Sequence, residues 1–329
     1  ISIANNTVID AFRLITLPKD WVHDKKLSQS LQFQLSVLLK LLYYTAVLIA
    51  FLFSLYSWKH HHFNAKAFFI ALVLLASVNT GIILNELPLI MATVKSGQPF
   101  YSQFFTLLAQ KSLFAVMQTV VFATMAGFVH YGSFRKLSMG LSQRVLLCSA
   151  VTFIGLGVLS LVYTIAPLPI IWADYTAIGT YYPWIHVILM PLQRYFLISL
   201  TVFMSLSVYD RLARLFHFPW FIRASIIFSI GFLLGMTRLN LSLSQSILPA
   251  IGTGIAFLLI TKLVIRKHLP FITLIIGFFV SILTIQQGFY APFYNALPIY
   301  IASGVSLIIT SLLWYLWLVI TNWKQHLIR

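Results

Sequence analysis

Acidic residues are almost absent from this chain of 329 residues. Six Asp and Glu residues stand against 22 Lys and Arg, and charged residues make up 9% of the total. Soluble domains carry about 25% charged residues, so the composition excludes a sizeable soluble domain. Hydrophobic residues make up 60% of the chain, in runs of about 20, the length at which a helix crosses a bilayer. The sequence therefore predicts an all-α, polytopic integral membrane bundle.

Cysteine and recognisable catalytic motifs are also scarce. Cys148 is the single cysteine, which excludes an internal disulfide and a Cys/His metal site. The chain has no HExxH, GxSxG or Walker motif. We therefore predict no cofactor and no metal. The consecutive His60, His61 and His62 cannot all face one ion, and we interpret them as a solvated loop.

The scarcity of carboxylates and the spread of the positive charge also indicate which ligands and partners to expect. Acidic residues at mid-membrane, typical of proton- or sodium-coupled carriers, are absent, since Glu86 lies near the end of its predicted span. The net charge of +16 is dispersed over short loops, a pattern that favours anionic lipid headgroups over nucleic acid. Membrane lipids are the predicted partners, partner subunits remain an alternative, and no nucleic acid is expected.

Nine apolar runs predict about nine transmembrane helices, within a range of eight to ten. Residues 1–35 precede them and predict an interfacial amphipathic helix, on the pattern of Ile9, Phe12, Ile15 and Leu17 with nearby charges. Residues 36–329 are then one transmembrane domain. The predicted spans are Val37–Trp58, Ala67–Met91, Phe104–Tyr131, Val145–Ile171, Trp184–Val208, Ala224–Ser242, Ile247–Ile265, Phe271–Tyr290 and Leu297–Thr321.

Lys and Arg concentrate in alternate loops and predict the orientation. The loops at 172–183 and 291–296 contain neither residue type, so the positive-inside rule places the C-terminus in the cytoplasm, in an inner or other cellular membrane. Four cations before the first span fit less well, so either that segment is held outside or one span is miscounted. The positive set is Lys59, Lys66, Arg135, Lys136, Arg144, Arg211, Arg214, Arg223, Arg266, Lys267, Lys324 and Arg329.

Glu86 is the only glutamate, and it lies near the predicted outer end of the second span. Asn79 is seven residues earlier, on the same helix face, and Pro88 frees a backbone carbonyl or kinks the helix. Lys111 enters the next span from the same side, so the hairpin predicts a Glu86–Lys111 ion pair. In the alternative interpretation, the Lys111 side chain extends to the lipid headgroups and Glu86 lies at the membrane interface without pairing with Lys111.

Arg194 is predicted to lie about 15 Å deep in the fifth span. A lone Arg at that depth raises the free energy of membrane insertion by about 2.5–3.5 kcal/mol. His186 and Gln193 share a helix face next to it, Pro191 interrupts the backbone bonding, and Asp174 precedes the span. A buried guanidinium suits a phosphate or carboxylate ligand. The alternative is a structural Arg that caps helix carbonyls freed by Pro191.

Three functions remain open. The first is a transporter, flippase-like protein or membrane subunit that handles an anionic small molecule or lipid headgroup in a cavity of the outer half. The second is a membrane enzyme acting on a lipid or lipid-linked substrate, with His186 and Glu86 as acid and base and Arg194 as phosphate clamp. The third is a subunit that docks another chain. The candidate ligand-binding residues are Arg194, His186, Gln193, Glu86, Lys111 and Asp174.

Overall fold

The fold was obtained as a computed structural model of the whole chain. The structure describes residues 2–4, 7–10, 34, 37–38, 41, 44–45, 47–56, 58–59, 63–94, 99–129, 140–165, 177–215, 219–236, 243–262, 268–291, 293 and 295–327. His60, His61, His62 and Asp174 lie outside these ranges.

The N-terminal segment begins as a β-hairpin. Strands β1 (Ser2–Ala4) and β2 (Thr7–Asp10) pair antiparallel, with Ala4 opposite Thr7. The helix predicted on Ile9 is therefore wrong at that residue, because the run Thr7-Val8-Ile9 is β-branched and favours extended backbone. The remainder of the predicted interfacial helix, residues 11–33, lies outside the described residues.

Helices account for the rest of the described fold. A helix is present at the position of each of the nine apolar runs predicted from the sequence. Their bounds are α1 Val47–Tyr56, α2 Ala65–Asn85, α3 Leu87–Ala92, α4 Phe100–Val129, α5 Leu141–Ile165, α6 Pro183–Leu215, α7 Trp220–Met236, α8 Leu243–Ile260, α9 Phe271–Gly288 and α10 Ala296–Leu327.

Five of these helices are long and apolar enough to cross a membrane. They are α2, α4, α6, α9 and α10, and shorter apolar stretches lie in α1, α5, α7 and α8. The chain is therefore a multi-pass integral membrane protein of all-α class with a short N-terminal hairpin. The prediction of nine complete crossings goes further than these five spans, and it stays a prediction.

The second predicted span is interrupted at Glu86. Helix α2 ends at Asn85, Glu86 forms a turn, and α3 begins at Leu87 with Pro88 in its first turn. Proline cannot donate a backbone hydrogen bond to the residue four positions earlier, so a continuous helix is disfavoured here. The helix is thus interrupted next to Pro88, where the sequence predicted either a freed carbonyl or a kink, and the Glu86 carboxylate lies at the break.

Helix α6 is the central element of the bundle. It packs against α2 and α4 on one side and against α9 and α10 on the other. Its buried side chains, which include Tyr195, Phe203 and Met204, form the core with residues of α9 and α10. Because α6 is shared by both sides, polar side chains on it are held at fixed positions relative to α2 and α4.

Candidate functional site

Three helices each carry two polar side chains seven residues apart. These are Asn79 on α2 with Glu86 at its C-cap, Lys111 and Gln118 on α4, and His186 and Gln193 on α6. Seven residues are close to two helical turns, so each pair lies on one helix face, separated by about 10 Å along the axis. The three helices pack together, and the six side chains form two layers, here called the polar seam.

The upper layer contains Glu86, Lys111 and His186. Lys111 Nζ donates to Glu86 Oε2 over 2.8 Å, and His186 Nδ1 lies 3.8 Å from Glu86 Oε1, beyond direct hydrogen-bond distance. The predicted ion pair between Glu86 and Lys111 is therefore confirmed. His186 lies near the second oxygen of the same carboxylate, so the two residues that the enzyme alternative pairs as acid and base are neighbours in the structure.

The upper layer opens toward the surface of the bundle. The Lys111 side chain is 43% exposed, whereas Glu86 and His186 are only 12% and 14% exposed. The neighbouring side chains on α4, Leu113 and Phe114 among them, are large, apolar and exposed. An ion pair at the edge of an apolar surface is reachable from the lipid side, while its carboxylate is shielded by α2 and α6.

The lower layer is a network of amides. Gln193 Nε2 donates to Asn79 Oδ1 over 2.6 Å and to Gln118 Oε1 over 3.2 Å. Asn79 Nδ2 donates to Thr119 Oγ1 over 2.8 Å and to the Ala115 carbonyl over 3.3 Å. In a bilayer such groups must find partners within the protein, and here each helix satisfies polar atoms of another. The lower layer therefore ties α2, α4 and α6 together below the charges.

Asn85 fixes the loop that leads into α6. Its side-chain Oδ1 accepts from the Tyr182 N–H over 2.8 Å, and its Nδ2 donates to the Tyr182 carbonyl over 3.0 Å. The Asn85 carbonyl also accepts from the Tyr181 N–H over 3.0 Å. These three bonds join the end of α2 to the start of α6, so they set the height of His186 relative to Glu86.

The remaining predicted residues are placed differently. Arg194 lies on α6 next to Gln193, but its side chain is exposed on the bundle surface, about 12 Å below His186 along the axis. Pro191, one turn before Tyr195, lies inside the continuous helix α6. Asp174 lies outside the described residues. The structure thus brings together Glu86, Lys111, His186 and Gln193, and it places Arg194 on an adjacent face.

Sequence reasoning missed Gln118, Thr119 and Asn85. A signal for Gln118 was present, because its spacing of seven residues from Lys111 repeats the spacing of the pairs on α2 and α6. Thr119 and Asn85 had no such signal, since their partners are distant in sequence. Among the described residues, no group of three or more His, Cys, Asp or Glu side chains is arranged to hold a metal ion.

No protein-family model matches the sequence, and neither a curated protein nor a solved structure matches it.

Proposed function

We propose that this multi-pass membrane protein binds an anionic or lipid-like ligand at the polar seam and moves it across the membrane, as a transporter or flippase-like protein. The observation that supports this proposal most directly is the Glu86–Lys111 ion pair. The Lys111 side chain of this pair is 43% exposed beside an apolar surface. A lipid headgroup can reach such a group laterally while its acyl chains stay in the bilayer. An enclosed water-filled pore is not required.

The two layers suit successive contacts with one headgroup. A phosphate approaching Lys111 competes with Glu86 for the ammonium, since both are anions that accept charge-assisted hydrogen bonds. The amides of Gln193, Asn79 and Gln118 lie about 10 Å deeper and can both donate and accept. These amides form a polar path toward mid-membrane that contains no charged group. A buried charge at that depth would cost free energy.

The proposal is tested with the full chain in phosphatidylcholine vesicles containing a trace of acyl-labelled fluorescent phosphatidylglycerol. Dithionite destroys the fluorescence of labelled lipid in the outer leaflet but does not reach the inner leaflet. Labelled lipid that moves from the inner to the outer leaflet therefore also loses its fluorescence, and the rate of this loss reports the movement. We expect the protein to accelerate this loss and Lys111→Met to slow it about tenfold, the effect of one lost charge-assisted bond. Gln110→Leu is the matched control, because Gln110 is the exposed neighbour of Lys111 on α4.

Two results would refute the proposal. One is protein-containing vesicles that lose the label no faster than protein-free ones. The other is Lys111→Met and Gln110→Leu slowing the loss equally, since the seam would then play no specific part.

A second function has one observation in its favour. His186 Nδ1 lies 3.8 Å from Glu86 Oε1, a distance that a small tightening converts into the hydrogen bond of a His–Glu acid–base pair. An enzyme acting on a lipid-linked substrate should convert the labelled lipid into a new product and lose nearly all turnover on His186→Ala while retaining binding. A transporter forms no product and tolerates His186→Ala better.

A further inference from the structure

Proline removes one backbone hydrogen bond from α6 between the two layers of the polar seam. Pro191 has no backbone N–H, so the carbonyl of Val187, four residues earlier, cannot receive its helical bond. Val187 directly follows His186 of the upper layer, and Pro191 comes two residues before Gln193 of the lower layer. Val187 is only 2% exposed, so its carbonyl must find another donor inside the protein.

Ser303 of α10 supplies that donor. Its hydroxyl donates to the Val187 carbonyl over 2.8 Å, and the Ser303 side chain is fully buried. Hydroxyls within a helix commonly bond to a carbonyl of their own helix, as Thr201 and Ser207 of α6 do. Ser303 bonds across to a neighbouring helix instead, at the carbonyl that Pro191 leaves without its helical donor.

Close packing against α9 holds this part of α10 in place. The next residue, Gly304, accepts a hydrogen bond at its carbonyl from Ser281 Oγ of α9 over 2.8 Å. A Cβ added at Gly304 would lie 2.7 Å from the Ile285 side chain, so α9 and α10 are in close contact at this level. Ser303 therefore bonds to α6 from a segment that α9 already fixes.

The two halves of α6 are anchored separately. Before the first turn of α6, the backbone of Tyr182 is bonded to the Asn85 side chain at the end of α2. Beyond Pro191, the fully buried Tyr195 donates its hydroxyl to the Thr273 carbonyl of α9 over 3.3 Å. Between these anchors, the Pro191 turn lacks one helical bond, so bending of α6 costs least there.

We propose that Pro191 and Ser303 form a latched hinge in α6. While the Ser303–Val187 bond is made, the upper half of α6, which carries His186, is held at a fixed angle to the lower half. When this bond breaks, the upper half can tilt and His186 moves relative to Glu86 of α2, a hinge motion about one weakened turn. Ser303 is thus a positioning residue for the upper layer. The hinge is a property of α6 and does not depend on the function proposed above.

Hydrogen exchange on the purified full chain in phosphatidylcholine nanodiscs tests the hinge, because exchange reports local opening of a helix and needs no ligand. Mass spectrometry follows the peptide that spans residues 184–195. We expect Ser303→Ala to speed exchange in this peptide by about threefold or more, because the Val187 carbonyl loses its donor. Ser306→Ala is the matched control, since Ser306 lies one turn later and its hydroxyl donates within α10 over 2.7 Å. This control should change the exchange by less than about twofold.

The Pro191→Ala background separates a latch from an ordinary packing contact. This variant regains a backbone N–H that can donate to the Val187 carbonyl, so adding Ser303→Ala should then speed exchange by less than about twofold. If Ser303→Ala does not fold, Ser303→Cys keeps a similar size with a weaker donor, and the same comparisons apply. Equal acceleration with and without Pro191→Ala overturns the proposal, as does exchange in the Ser303 variant that is no faster than in Ser306→Ala.

Discussion

Two helix pairs of this bundle are joined by opposite means. Between α9 and α10 the contacts are close packing of small and apolar residues with a hydroxyl-to-carbonyl hydrogen bond, and 56% of the α9 span is buried. Between α2 and α4 the contacts include an ion pair and amide hydrogen bonds, and α4 buries no residue between Phe100 and Gln118. Both pairs are antiparallel neighbours in the sequence, so the difference comes from their side chains.

Small residues explain the α9–α10 contact. Gly277 on α9 lies against Ser311, Gly304 on α10 lies against Ile285, and Ser281 Oγ donates to the Gly304 carbonyl over 2.8 Å. Small residues let helices approach closely in a bilayer, where van der Waals packing holds helices together. The α2–α4 pair carries charged groups where packing alone would suffice. We therefore propose that α9–α10 is the scaffold and that α2–α4 is the working surface.

The largest expected effect is on the scaffold. A Cβ added at Gly277 would clash with Ser311, so Gly277→Val should lower the free energy of unfolding by about 3 kcal/mol through overpacking. Gly157→Val is the control, because nothing lies near the position of its added Cβ, and it should change stability by less than about 1 kcal/mol. Thermal unfolding in detergent measures both, and equal melting temperatures would contradict the scaffold assignment.

Next comes the ion pair of the working surface. Glu86→Gln and Lys111→Met should each destabilise the protein, and the double variant should be less destabilised than the sum of the two. Each single change leaves one charge behind, which gives a coupling energy of about 1 kcal/mol. A double-mutant cycle on unfolding free energies measures this coupling. Strict additivity would mean that the 2.8 Å contact contributes nothing to stability.

A smaller effect is expected in the lower layer. Gln193→Leu removes the donor to Asn79 and Gln118, and hydrogen bonds between membrane helices contribute about 0.6 kcal/mol on average and up to about 1.7. Thermal unfolding should show a loss in this range. Gln110→Leu provides the comparison, because Gln110 is exposed on α4, and a similar loss there would argue against a specific network.

The smallest stability effect is expected at Arg194. Its exposed position predicts that Arg194→Gln changes the free energy of unfolding by no more than about 0.5 kcal/mol. If Arg194 contacts the anionic ligand, lipid movement should fall in Arg194→Gln and, to a lesser extent, in Arg194→Lys, which keeps the charge and loses the planar fork. Full activity in both folded variants would remove Arg194 from the proposed site.

Local patterns made much of the fold predictable. The apolar runs located the helices, and Pro88 located the break at Glu86, because both depend on neighbours in the chain. The Glu86–Lys111 pair was predictable since a short hairpin brings its two sides to similar depth. The paired strands Ser2–Ala4 and Thr7–Asp10 were not predicted, although the β-branched run Thr7-Val8-Ile9 favours extended backbone.

The sequence alone determined that this is a helical membrane protein, where its helices lie, and which polar residues share a helix face, since hydropathy and periodicity are local properties. Tertiary structure alone decided which faces meet. It brought His186 to Glu86, joined Gln193 to Asn79 and Gln118, and placed Arg194 outward. It also joined Arg144 to Tyr315 across 171 positions. The physical reason is that such contacts depend on how α6, α5 and α10 pack against distant helices, and periodicity carries no information about the neighbour that covers a face.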